Sequence, residues 1–138
     1  MDVDALKQQL VTHEALRLKP YRDSVGKLTI GVGRNLDDRG ITRDEAMAML
    51  GNDIANVCLD LDRNAPWWRD MPEPAQRALA DMCFNMGWPT LAQFKNMLAA
   101  LERGHFRTAA EEAVRSKWAR QVGTRAMKIA ELYREAGR

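Results

Sequence analysis

Glu14, Asp23 and Thr29 stand close together near the start of a chain of 138 residues. Their types suit acid–base work, with one group to give a proton and two to hold a water. Val3, Leu6 and Leu10 recur at helical spacing, and one further step along that stripe reaches Glu14. The position predicts a carboxyl held against apolar neighbours, whose raised pKa would let it donate a proton near neutral pH. A partly buried Glu pairing with an Arg near a helix end fits the same pattern. Asp23 and Thr29 flank Ser24-Val25-Gly26-Lys27, a stretch with the length and the glycine of a hairpin turn, which places them near each other across the hairpin. A carboxylate acceptor beside a hydroxyl that donates and accepts can orient one water. A turn Asp and a β-forming Thr are the plainer explanations of each residue taken alone.

Leu28, Ile30 and Val32 alternate with Thr29, Gly31 and Gly33, which predicts a strand with one bulky face and one nearly bare face. Glycine weakens a strand unless something must approach closely, so the bare face is a candidate wall for a long ligand. The segment Glu14-Ala15-Leu16-Arg17-Leu18-Lys19-Pro20-Tyr21-Arg22-Asp23, then Gly26, then Thr29-Ile30-Gly31-Val32-Gly33, resembles the phage-type lysozymes, the muramidase endolysins of glycoside hydrolase family 24. The likeness continues through Gly40-Ile41-Thr42-Arg43-Asp44-Glu45-Ala46 and Phe84-Asn85-Met86-Gly87 to Ser116-Lys117-Trp118 and Arg125-Ala126, so it covers nearly the whole chain.

That resemblance implies Glu14 as general acid, Asp23 as the carboxylate that positions or activates water, and Thr29 as the hydroxyl that helps hold it. Arg34, Gly31, Gly33 and Arg125 would bind substrate or support the site, Arg125 matching a basic residue placed beside the catalytic Glu. It further implies hydrolysis, by inversion, of the β-1,4 bond between N-acetylmuramic acid and N-acetylglucosamine in peptidoglycan. Two positions depart from the family pattern. Many members have Gly after the catalytic Glu, where this chain has Ala15, a change a helical backbone should tolerate. Others carry His where this chain has Arg34.

Composition fits an ordinary globular chain: 46% hydrophobic, 29% charged, net charge +2. Arg103, Arg107, Arg115, Lys117, Arg120, Arg125, Lys128, Arg134 and Arg138 make the last third basic, which suits either attraction to a polyanionic envelope or solvated helix faces. Cys58 and Cys83 are too few for a disulfide framework and are expected as free thiols. Neither metal-ligand spacing nor a cofactor motif is present, so no metal and no cofactor are expected. Met1 to Leu10 reads as neither signal peptide nor membrane anchor. The expected history is synthesis in the host cytoplasm, holin-dependent release by the resemblance, and action on the wall in the periplasm, as a monomer without stable membrane insertion.

The elements that must position these residues follow from pattern. Thr42-Arg43-Asp44-Glu45 is a capping box opening a helix whose apolar positions are Ala46, Leu50, Ile54, Val57 and Leu61, with Gly51 as a place for a bend or break. Pro72 and Pro74 suit the first turn of a helix carrying Ala75, Leu79, Met82, Cys83 and Met86 and stopping at Gly87. Thr90 with Gln93 marks a second cap ahead of Leu91, Phe94, Met97, Leu98 and Leu101. Two further helices are expected, around Phe106 to Val114 and from about Thr124 to Ala136, the latter with Ala126, Ile129, Ala130 and Tyr133 inward. Trp88 and Trp118 read as core anchors, and of the adjacent Trp67 and Trp68 only one can face inward.

The fold class expected is α+β, predominantly helical and lysozyme-like, with a small N-terminal β-hairpin lobe and a larger helical lobe joined by a long helix. The chain would be one domain over 1–138, with a β lobe at about 14–45, a helical lobe at about 1–13 and 62–138, and a connecting helix at about 42–61. Two other enzyme or binding readings stay open: a lytic transglycosylase, and a catalytically silent peptidoglycan-binding domain of the same fold. Nucleic-acid binding lacks a helix-turn-helix or aromatic–basic signature and is not expected.

Overall fold

A computed structural model describes all residues, 1–138. The protein is 68% helical, with a small three-stranded antiparallel sheet, which is the α+β class expected. It comprises two compact units, Met1–Ala48 and Met49–Arg138.

The first unit begins with α1 (Val3–Glu14), whose N-terminus is capped by Asp2 accepting the Ala5 N–H at 3.0 Å. Strands β1 (Arg17–Arg22), β2 (Leu28–Gly31) and β3 (Arg34–Asn35) follow in that spatial order. The strand expected to run to Val32 stops at Gly31. Gly31 and Gly33 take φ of +69° and +68°, so their glycine character serves a second tight turn, into a third strand that the alternation did not reveal. Just past β3, the Asp37 carboxylate accepts the N–H of Leu28 on the central strand at 2.7 Å.

Helix α2 (Arg43–Asn64) starts at the expected capping box, in which the Thr42 N–H donates to Glu45 at 2.9 Å and the Glu45 N–H donates to Thr42 Oγ1 at 3.1 Å. It runs unbroken through Gly51, since the eight helical residues before it and the thirteen after it outweigh the roughly 1 kcal/mol penalty of one helical glycine. Its first turns belong to the first unit and the rest to the second. Of its apolar stripe only Val57 and Leu61 are buried.

A 3-10 turn (Pro66–Asp70) leads to α3 (Glu73–Met86), α4 (Trp88–Leu91), α5 (Lys95–Glu102), α6 (Phe106–Arg115), α7 (Lys117–Val122) and α8 (Thr124–Ala136). Thr90 lies inside α4 and caps nothing, so the single segment expected there divides into two helices. The short α7 was not anticipated; Ser116 caps it by accepting the Ala119 N–H at 3.2 Å. Leu79, Met82, Leu91, Met97, Leu101, Ile129 and Tyr133 form the centre of the core, all fully buried. The four residues expected inward on α8 are all buried. Burial pushes the Tyr133 phenol far above its ordinary value, and its hydroxyl donates to Met82 Sδ at 3.3 Å. Trp68 and Trp118 are buried, each giving its N–H to a side chain, Asp62 and Asn85 respectively, while Trp67 and Trp88 pack half-buried at the core's margin. Cys83 is buried, Cys58 partly so, and both are free thiols.

Candidate functional site

Glu14 is the last residue of α1, and its carboxylate rests against the β2–β3 turn. A Cβ built on Gly33 would lie 2.9 Å from Glu14 Oε2 and 3.2 Å from its Cδ. The expected apolar enclosure is absent: Glu14 is exposed, Val3 and Leu10 are 53% and 41% exposed, and α1 buries no residue. Helical periodicity marks a face but not what covers it.

Ala15 ends the helix with φ +65° and ψ +155°, its N–H donating to the Val11 carbonyl at 2.9 Å. The expectation that Ala15 sits in tolerant helical backbone is therefore corrected. This region of backbone space belongs almost wholly to glycine, because a Cβ there crowds the adjacent peptide. The helix stops here, and the chain turns directly into β1.

Asp23 closes the first hairpin. Its Oδ1 accepts the N–H of Val25 at 3.0 Å and of Lys27 at 2.8 Å, an Asx-type arrangement that fixes the carboxylate and leaves Oδ2 without a protein donor. Tyr21 pairs with Thr29, and the Asp23 N–H bonds the Lys27 carbonyl, so Asp23 and Thr29 stand diagonally on the same face of the hairpin. Thr29 is 3% exposed, and its hydroxyl donates to the Lys27 carbonyl at 2.9 Å. With its proton committed, that hydroxyl can act toward a further group as an acceptor.

Arg34, expected as a substrate-binding or supporting residue, directs its guanidinium to Glu45 through two bonds of 2.8 Å and to the Gly40 carbonyl at 3.3 Å. The Arg34 fork, and next the Thr42 N–H, hold the Glu45 carboxyl down to about 2. The side chain thus ties β3 to the start of α2. Arg125, on α8, gives its guanidinium to Asp81 of α3 at 2.7 Å and lies in the second unit. Other basic residues of the last third are paired as well, Arg115 with Glu112 and both Arg134 and Arg138 with Glu131, as solvated helix faces would be.

The second unit carries an open groove of about 730 Å³ that no single motif announced. Asn85, Phe94, Glu112, Arg115, Lys117 and Trp118 line it from separate elements. Trp118 gives its N–H to Asn85 at 2.7 Å and meets Phe94 edge-on with ring centroids 6.3 Å apart. The nearest signal in the sequence was the pair of matched segments Phe84–Gly87 and Ser116–Trp118, which the fold brings to one wall.

Comparison with known proteins gives the class: residues 11–135 match the phage lysozyme family, to which the chain belongs. It is 31% identical to the SAR-endolysin of Escherichia phage Mu over 79% of its own length and 64% of that protein. Likeness to the pre-baseplate central spike protein Gp5 of Enterobacteria phage T4 is 27% over 91% of this chain, which spans only 27% of the spike protein. A Dictyostelium discoideum protein named "Probable T4-type lysozyme 2" is 24% identical over 95% of this chain and 94% of its own.

Proposed function

We propose that this chain is an endolysin-type glycoside hydrolase that cleaves the β-1,4 bond between N-acetylmuramic acid and N-acetylglucosamine of bacterial peptidoglycan, leading to lysis of the host cell. Glu14 protonates the leaving glycosidic oxygen as the bond to the anomeric carbon breaks. A water attacks that carbon from the other face of the sugar, and its proton passes to Asp23. Inverting enzymes hold their two carboxyls roughly 6.5–9.5 Å apart to admit such a water.

The observation that carries this reading is the pair of hydrogen bonds to Asp23 Oδ1. They leave Oδ2 as an oriented acceptor, while Thr29 offers a second acceptor because its proton is spent on Lys27. A water donating to both turns a lone pair away from them, as a nucleophile must. The groove lined by Glu112, Arg115 and Lys117 carries both signs of charge, which suits the charged peptides that branch from the glycan. Access to the wall follows release through a holin lesion.

Turbidity clearing of purified walls by wild type, Glu14→Gln and Asp23→Asn, with anomer-resolved product analysis, tests the proposal. Loss of clearing in both variants and products of inverted configuration are expected. Clearing by Glu14→Gln at the wild-type rate overturns the acid role. Anhydro ends instead of reducing ends would make the enzyme a lytic transglycosylase, which needs no external water.

A further inference from the structure

Gly33 has two separate reasons to be glycine. Its φ of +68° is the left-handed conformation, a requirement shared with Gly26, Gly31 and Gly104. Asn also meets that requirement at low cost. The second reason is Gly33's alone among the glycines: a Cβ there would come within 2.9 Å of Glu14 Oε2, 3.2 Å of Cδ and 3.4 Å of Cγ, whereas one on Gly26, Gly31 or Gly104 meets nothing within 4 Å.

We infer that Gly33 is a positioning residue for Glu14, its bare Cα forming the seat on which the carboxylate rests. This rests on the reading of Glu14 as the acid. A Cβ at position 33 meets the far end of a flexible side chain, so the fold relaxes by rotating Glu14 instead of moving backbone. Beyond the strain common to every left-handed position, the structural cost of this contact is therefore small and the catalytic cost large, because misplacing a reacting group by about 1 Å can reduce a rate on the order of 10²-fold. The glycine-thinned wall read from the sequence as room for a ligand is, at this position, room for the protein's own carboxylate.

The test compares Gly33→Ala and Gly33→Asn with Gly104→Ala and Gly104→Asn, which place the same residues at a left-handed φ of +79° in open space. Steady-state rates on soluble peptidoglycan fragments, melting temperatures, and the ¹³C resonance of the Glu14 carboxyl are measured for each. Both Gly33 variants are expected to lose at least about tenfold in kcat, with KM within about twofold. Their melting temperatures should fall no further than those of the matched Gly104 variants, which keep wild-type kcat. The Asn variants serve if Ala at a left-handed position prevents folding. A Gly33 variant that keeps kcat while Glu14→Gln loses it overturns the inference, as does a raised KM at unchanged kcat, which would place Gly33 against substrate. If Glu14→Gln stays active, the acid reading fails on its own, and the carboxyl resonance decides the seat: it shifts in Gly33→Asn if the side chain is displaced, and a resonance that stays overturns the inference.

Discussion

Arg34 and Glu45 meet through two parallel hydrogen bonds of 2.8 Å, and the same Glu45 carboxylate accepts the Thr42 N–H that opens α2. One carboxylate thus serves as the arginine's partner and the helix's cap, coupling β3 to the first turn of α2. The geometry is bidentate, the arrangement in which arginine differs most from lysine.

Stability should carry an acid limb from this pair. The folded Glu45 carboxyl titrates at about 2, below its usual value near 4.5, so the unfolded chain binds the proton more readily. Its contribution is complete above about pH 4.5 and is lost as pH falls toward 2. Melting temperature measured from pH 6 to pH 2 should fall less steeply in Glu45→Gln than in wild type. Equal slopes would show that the pair contributes nothing to acid sensitivity.

Thr42→Ala removes the other half of the capping box while leaving Arg34 its partner. Loss of one N-cap hydrogen bond costs about 1 kcal/mol. Urea titration should show that loss in the unfolding free energy, with no change in the denaturant slope. A variant as stable as wild type would mean that water caps the helix equally well.

Ala15→Gly should stabilise the protein. The backbone at Ala15 lies where a Cβ costs about 1–3 kcal/mol, and the added freedom of glycine in the unfolded chain returns only about 0.5–1 kcal/mol of that. Thermal melts of the two proteins at one pH decide the matter, and a lower melting temperature for the glycine variant contradicts the strain.

Burial sets a contrast between two leucines. Leu79 is fully buried on α3, so Leu79→Ala should cost about 2–5 kcal/mol through lost transfer energy and a cavity. Leu18 is 82% exposed on β1, and Leu18→Ala should stay within about 0.5 kcal/mol of wild type. Parallel chemical denaturation of both variants checks the pair.

Local chemistry wrote several elements plainly into the sequence. The reciprocal Thr42–Glu45 cap, the stop of α3 at Gly87 and the four buried positions of α8 all depend on residues three or four apart, and such spacings are visible without a fold. The division of α4 from α5 was not visible, because Thr90 and Gln93 carry a capping pattern that the bend at Ala92 to Phe94 overrides. Periodicity likewise drew the stripe of α1 correctly as a helix face while giving no account of its exposure.

For the candidate site, the sequence alone supplied the residue types and spacing of Glu14, Asp23 and Thr29 and the turn that separates the last two. Only the tertiary structure decided that Glu14 rests on Gly33 and that Arg34 spends its charge on Glu45. The physical reason is separation along the chain. A cap or a turn is satisfied by near neighbours, whereas a carboxylate set on a glycine nineteen residues away depends on the exit angle at Ala15 and the register of three strands acting together.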